Sequence, residues 1–288
     1  MTAQGVLPDR DIRALFDAGA IRRPSPLTAT QLQPASLDLT LGARAWRVRA
    51  SFLPALAQNV IARLDDGLMM HEIDLSAGAV LERGCVYLVE LNEALNLPKS
   101  VSAAANPKSS TGRIDVFVRL VVDGGDRFDE APAGYAGPLY AEISPRTFSI
   151  LVREGSSLNQ LRFKQGRPRL DDDALDALHA TAPLIDADAD IDNGIGVRVD
   201  LHPDENGVVG WRARRHSGLI DVDQRGALEP LDYFEPVRRS QVGGIILDPD
   251  EFYILASKER LCVPPGYAAE MAPITTGLGE FRVHYAGF

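Results

Sequence analysis

The sequence predicts a mainly β protein of the sandwich, barrel or jelly-roll kind, built as two tandem copies. Three observations predict it. Short apolar runs of strand length recur along the chain, with Gly, Pro, Asn or Asp between most of them. Helical periodicity is confined to two short stretches, near 8–18 and 171–180. An internal repeat then ties the two halves of the 288 residues together.

The first stretch, 8–18, places Ile12, Leu15 and Phe16 on one face, with Asp9 as a candidate cap and Gly19 as the stop. Ser36–Leu41 alternates with period two, as a half-buried strand does. Further strands are expected at Val86–Leu91, Asp115–Val122, Leu139–Ile143, Phe148–Val152 and Leu158–Phe163. Residues 164–194 break the pattern: three aspartates, Asp171–Asp173, open a short helix, and a run of alternating aspartates follows from Asp186. That run fails as a calcium loop. Its sixth position falls on Ile191 or Asn193 where glycine is needed, and no closing glutamate follows, so 167–194 reads as a solvated acidic linker. In the repeat, Tyr87 and Tyr253, Glu93 and Glu259, Pro98 and Pro264, and Pro107 and Pro273 all stand 166 residues apart, and Trp46 and Trp211 nearly so. The expected organisation is copy one over 1–166, the linker, and an incomplete copy two over 195–288.

Composition excludes several classes. Apolar residues make up 45% and charged residues 24%, and mean hydropathy is -0.08, so the chain is neither disordered nor collagen-like. Forty acidic against 30 basic side chains give a net charge of -10, which repels nucleic acid and anionic membranes. No run of about 18 apolar residues is present to span a bilayer, and the N-terminus lacks the pattern of a secretory signal. Two distant cysteines, Cys85 and Cys262, fit a reducing cytoplasm. The five histidines lack metal-ligand spacing.

Two places carry chemistry. Asn106–Arg113 holds Lys108, Ser109, Ser110, Thr111, Gly112 and Arg113, a set able to wrap a polyphosphate through cations and hydroxyl donors. It is not a Walker loop, and on residue types alone a polar turn is the simpler reading. Glu142 lies in an apolar run, Pro138–Ser144. A desolvated carboxylate there has a raised pKa and suits proton shuttling, while the plainer alternative is an outward-facing glutamate on an amphipathic strand.

Taken in order, five segments resemble the dCTP deaminase family of the dUTPase-like superfamily. They are Leu7–Ile12 with Gly19; Gln33–Gly42; Lys108–Arg113, with lysine replacing a leading arginine; Gly134–Glu142; and Gly155–Phe163. The resemblance implies a dUTPase-like β-clip, or distorted jelly-roll barrel, present twice with short N-terminal and linker helices, as in fused bacterial forms. It implies hydrolytic deamination of dCTP to dUTP and ammonia, with Glu142 activating water and Ser109 and Arg113 assisting. Lys108, Ser110, Asp129, Gln160 and Ala286 are the implied nucleotide contacts. No protein-bound metal or cofactor is implied: the His-x-Glu and Pro-Cys-x-x-Cys signature of the zinc deaminases is absent, and Mg²⁺ arrives with the triphosphate. dTTP is a candidate inhibitor, and a trimer-type homo-oligomer is expected.

The chain also departs from the family. Copy one lacks the base-reading Thr-Ala-x-x-Ile-Asp-Pro-Gly segment and has the longer Asp123–Gly134, in which Asp129 stands in for the sugar-binding aspartate. Copy two has no arginine in Ile274–Gly279, yet Val283–Phe288 resembles the start of the missing segment. A composite site therefore competes with one centred on Glu142: Ser109 and Arg113 would serve a pocket that begins at Ala286, with Glu142 in a degenerate partner site. A dUTPase, a bifunctional deaminase–dUTPase and a non-catalytic nucleotide-binding scaffold are the alternatives to this leading reading, since fold alone does not settle chemistry.

Overall fold

The computed structural model describes residues 4–28, 30–240 and 243–272. The chain divides into two compact units, one of residues up to Pro168 with Leu219–Ala227, the other of Arg169–Gly218 with Leu228–Glu270.

In the first unit the elements run β1 (Gly5–Val6), α1 (Asp9–Asp17), β2 (Ile21–Arg22), β3 (Leu32–Gln33), β4 (Ser36–Asp38), β5 (Leu41–Val48), α2 (Val60–Asp65), β6 (Met69–Asp74), β7 (Ala79–Leu81), β8 (Val86–Asn96), β9 (Val101–Pro107), α3 (Ser109–Gly112), β10 (Val116–Val122), β11 (Glu130–Ala131), β12 (Ala136–Pro145), β13 (Ile150–Val152) and β14 (Asn159–Gln165). One antiparallel sheet has the order β11-β9-β14-β4-β3, with β1 on β14. A second has the order β10-β12-β8-β5-β6, with β2 on β8. Every expected strand is present, and β8 and β12 run well beyond their apolar centres because both are interior to the second sheet. The core is filled by Leu37, Leu39, Leu41, Trp46, Leu88, Leu120, Ile143 and Phe163.

Two local expectations are corrected. Pro8, not Asp9, occupies the N-cap of α1; Asp9 and Asp11 lie in its first turn, where their charge favours the helix N-terminus. Residues 36–42 are not half-buried but buried throughout, because their polar side chains find partners on neighbouring strands of both sheets and at Lys108. The Ser36 hydroxyl donates to Gln160, and Thr40 donates through its amide and hydroxyl to Glu93, each at 2.9 Å.

The second unit carries α4 (Asp172–Thr181), capped by the Asp171 carboxylate, and β15 (Val208–Ala213). The chain then returns to the first unit for β16 (Ile220–Asp221), which pairs with β13. Back in the second unit come α5 (Pro230–Tyr233), β17 (Phe234–Arg238) and β18 (Tyr253–Leu255), and β15 lies between β17 and β18. The sequence repeat is repeated in hydrogen bonds. Trp46 faces Leu88 and Arg47 faces Tyr87, as Trp211 faces Ile254 and Arg212 faces Tyr253. The Tyr87 hydroxyl accepts from the Glu82 amide at 3.0 Å, and the Tyr253 hydroxyl accepts from the Asp248 amide at the same distance. Glu93 accepts from the Thr40 amide and Glu259 from the Arg198 amide. Ile21 pairs with Leu95, and Ile185 with Leu261. The matching pairs begin at Ile185, just after α4, as those of the first unit begin at Ile21, just after α1. The segment expected to be a solvated linker is part of the second unit, and Leu184 and Ile185 within it are buried.

Glu93 shows how a polar residue fixes this frame. It is fully buried, salt-bridged to Arg23 at 3.6 Å and bonded to Gln31 and Thr40. Burial pushes its carboxyl up, and Thr40 and Arg23 oppose that rise. Glu93→Ala leaves a buried guanidinium without its carboxylate, and we expect it to cost about 3–5 kcal/mol. Urea unfolding of the purified variant measures this; a midpoint equal to the parent's would contradict the role.

Candidate active site

The site residues expected from sequence fall into two clusters. The first surrounds α3, a single turn between β9 and β10. The turn is pinned to the start of β14: the Lys108 amide donates to the Leu158 carbonyl at 2.9 Å, and the buried Thr111 hydroxyl donates to the same oxygen at 2.7 Å. The Lys108 ammonium is ion-paired with Asp38 and bonds Ser157 at 3.3 Å, so it ties α3 to β4. Gln160 lies beside them, opposite Asp38 on one side and Asn106 on the other, and accepts from Ser36. This scaffold leaves Ser110 and Arg113 exposed and Ser109 half-buried. The Arg113 side chain makes no hydrogen bond or ion pair among the described residues, so its guanidinium is free to fork onto two phosphate oxygens.

The second cluster surrounds Glu142 on β12, opposite Arg119 of β10 and Leu88 of β8. The residue is 8% exposed. Its Oε1 accepts from the Ser51 hydroxyl at 2.9 Å. Burial holds its carboxyl above the ordinary glutamate range, opposed by hydrogen bonds from Ser51 and the Phe52 amide and by the Arg119 charge, and reinforced by Asp129. Arg119 links the two acids: it stands across the strand pair from Glu142, and its Nη1 bonds Asp129 at 3.0 Å. Asp129 also accepts from the Leu120 amide at 2.8 Å, and burial pushes its carboxyl up to about 6. Its φ of 65° is left-handed, uncommon for a residue with a side chain. The turn before it needs glycine at 125, where a Cβ would come within 2.9 Å of Val122 Cγ2.

Within one copy the clusters do not meet. Glu142 lies three strand positions in from the Val116–Pro145 pair, roughly 10 Å along the sheet, and Arg113 lies beyond that end. Ala286 lies outside the described residues. The sequence reading missed Ser51 and Arg119. Ser51 sits in an unremarked loop 91 residues from its partner, and no local pattern signals that contact. Arg119 is exposed on its strand, so nothing in the local sequence demands a partner for it. Among the described residues no cluster of His, Cys, Asp or Glu could hold a metal, and no helix is long and apolar enough to cross a membrane.

Comparison with known proteins finds matches across both units. Residues 3–167 match the family described as 2'-deoxycytidine 5'-triphosphate deaminase N-terminal domain, and 171–288 match its C-terminal domain. A crystal structure of 2'-deoxycytidine 5'-triphosphate deaminase from Agrobacterium tumefaciens is 50% identical over 99% of this chain and 85% of its own, with a TM-score of 0.93. A "dCTP deaminase, dUMP-forming" from Beutenbergia cavernae is 30% identical over 55% of this chain and 78% of its own. A "dCTP deaminase" from Haloarcula marismortui is 26% identical over 56% and 80%. The chain belongs to the 2'-deoxycytidine 5'-triphosphate deaminase family.

Proposed function

We propose that the protein converts dCTP and water to dUTP and ammonia. The observation that carries this is the sorting of residues in a chain of this family: an exposed hydroxyl-and-guanidinium turn on one side, a desolvated carboxylate on the other. Arg113, Ser109 and Ser110 take the triphosphate, with Lys108 and Gln160 shaping the turn beneath it. Glu142 takes a proton from water as the oxygen attacks cytosine C4 and passes it to N3, then takes the proton of the new C4 hydroxyl and passes it to the departing amine as the C–N bond breaks. Asp129 is the candidate sugar contact. In this reading Mg²⁺ enters on the triphosphate.

The fold is a dUTPase-like β-clip in two tandem copies, supported by the matching registers of the two units. Because the clusters lie apart within a copy, we also propose a symmetric, trimer-type assembly in which the turn of one copy meets the carboxylate of another. A bifunctional enzyme continuing to dUMP is the second reading, favoured by the name of the Beutenbergia relative.

The test is turnover of dCTP by the complete protein after treatment with a zinc-selective chelator, with magnesium in excess. Undiminished deamination, and no stoichiometric zinc by metal analysis, is the expected result. One tightly bound zinc per chain, with activity lost on its removal, would overturn the mechanism.

A further inference from the structure

We propose that Ser51 is a positioning residue that aims and tunes the Glu142 carboxylate. This rests on the reading of Glu142 as the proton shuttle. Glu142 is buried, whereas Ser51 is exposed, so the Ser51 hydroxyl stands at the solvent side of the carboxylate it bonds. The loop that delivers it is not loose. Phe52 packs against the cluster of Trp46, Val60, Leu64 and Tyr140. Further along, the Gly124 amide donates to the Gln58 carbonyl at 2.8 Å, and Asp123 accepts from the Val60 amide at 2.7 Å, fixing the start of α2 to the end of β10. Ser51 thus starts a loop held at its apolar anchor and at its far end, and its hydroxyl and the Phe52 amide converge on one carboxylate. Two fixed donors hold the group in a single orientation and favour its charged form.

The charged groups that act most on Glu142 come from β10 and the turn after it. From β10 comes Arg119, which favours the carboxylate. From the turn after β10 comes Asp129, which opposes it. β8 places Leu88 opposite it, with the Glu90–Tyr140 pair next along the same face, and Arg49 stands two residues before Ser51 in the chain. With Arg119 and Asp129 opposed, the Ser51 hydroxyl is the donor that a single substitution can remove without altering local charge.

The experiment is the pH profile of kcat and kcat/KM for dCTP in the complete protein, with Ser51→Ala, Ser51→Thr and Glu142→Gln measured side by side. Ser51→Ala is expected to move the acid limb of the profile upward by roughly one pH unit. It should lower kcat by about tenfold with KM unchanged. Ser51→Thr, which keeps the hydroxyl, restores both. Because Ser51 is exposed, loss of fold does not explain such a change. A parental profile for Ser51→Ala beside an inactive Glu142→Gln overturns the role of Ser51 and leaves the Glu142 reading standing. Parental turnover by Glu142→Gln overturns both.

Discussion

Glu142→Gln is expected to lower kcat for dCTP by about 10²- to 10⁴-fold while nucleotide binding persists. The substitution keeps the shape and a hydrogen-bonding head group but removes the site that accepts a proton from water. Its direction follows from the environment. A carboxyl held above its ordinary range by burial is a better base than an exposed one once it is ionised. In the parent enzyme, the carboxylate works as base only above its raised pKa. Activity should therefore fall with acidification at higher pH than an ordinary glutamate would allow, and Glu142→Gln should lack that limb. Rapid-quench measurement of one turnover, with separate equilibrium binding of dCTP, divides chemistry from affinity. Near-parental turnover would exclude Glu142 and favour the composite site that places the working carboxylate in the other copy.

Arg113→Lys is expected to reduce kcat/KM for dCTP by roughly 10- to 100-fold. The arginine is exposed, and among the described residues its side chain has no partner to lose, so the substitution leaves the scaffold of α3 intact: Thr111 and Lys108 hold the turn. What changes is geometry. A guanidinium offers two parallel donors to a phosphate, whereas an ammonium offers a point charge. The loss should be larger for the triphosphate than for deoxycytidine, which lacks the group Arg113 binds. Equal loss on both substrates would place Arg113 elsewhere in the mechanism.

Much of this was legible in the sequence because its signals are local or periodic. Strands announced themselves by apolar runs and turn residues, and an internal repeat by tyrosines, glutamates and prolines at a fixed spacing. The dense set of cations and hydroxyls at 108–113 was visible in the sequence, and the structure forms it into the single turn α3. Three things were not legible, each for a physical reason. Burial of Ser36, Asp38 and Thr40 depends on partners 53 to 124 residues away, so alternation alone suggested a half-exposed strand. The start of the second unit at Arg169 was hidden because the aspartates of α4 resemble a solvated tether. Those aspartates have a structural use: the Asp172 carboxylate accepts from the amides of Asn193 and Gly194, closing the segment on itself. The Ser51–Glu142 contact is set by how a loop folds over the sheet, and no short-range pattern encodes that.

The central claim, that the protein deaminates dCTP and stops at dUTP, is tested most directly by product stoichiometry. Complete protein is incubated with dCTP and Mg²⁺, and ammonia, dUTP and pyrophosphate are quantified in the same samples. The predicted result is one ammonia and one dUTP per dCTP consumed, with no pyrophosphate. Pyrophosphate rising in step with ammonia, or no ammonia from intact nucleotide-bound protein, would contradict it.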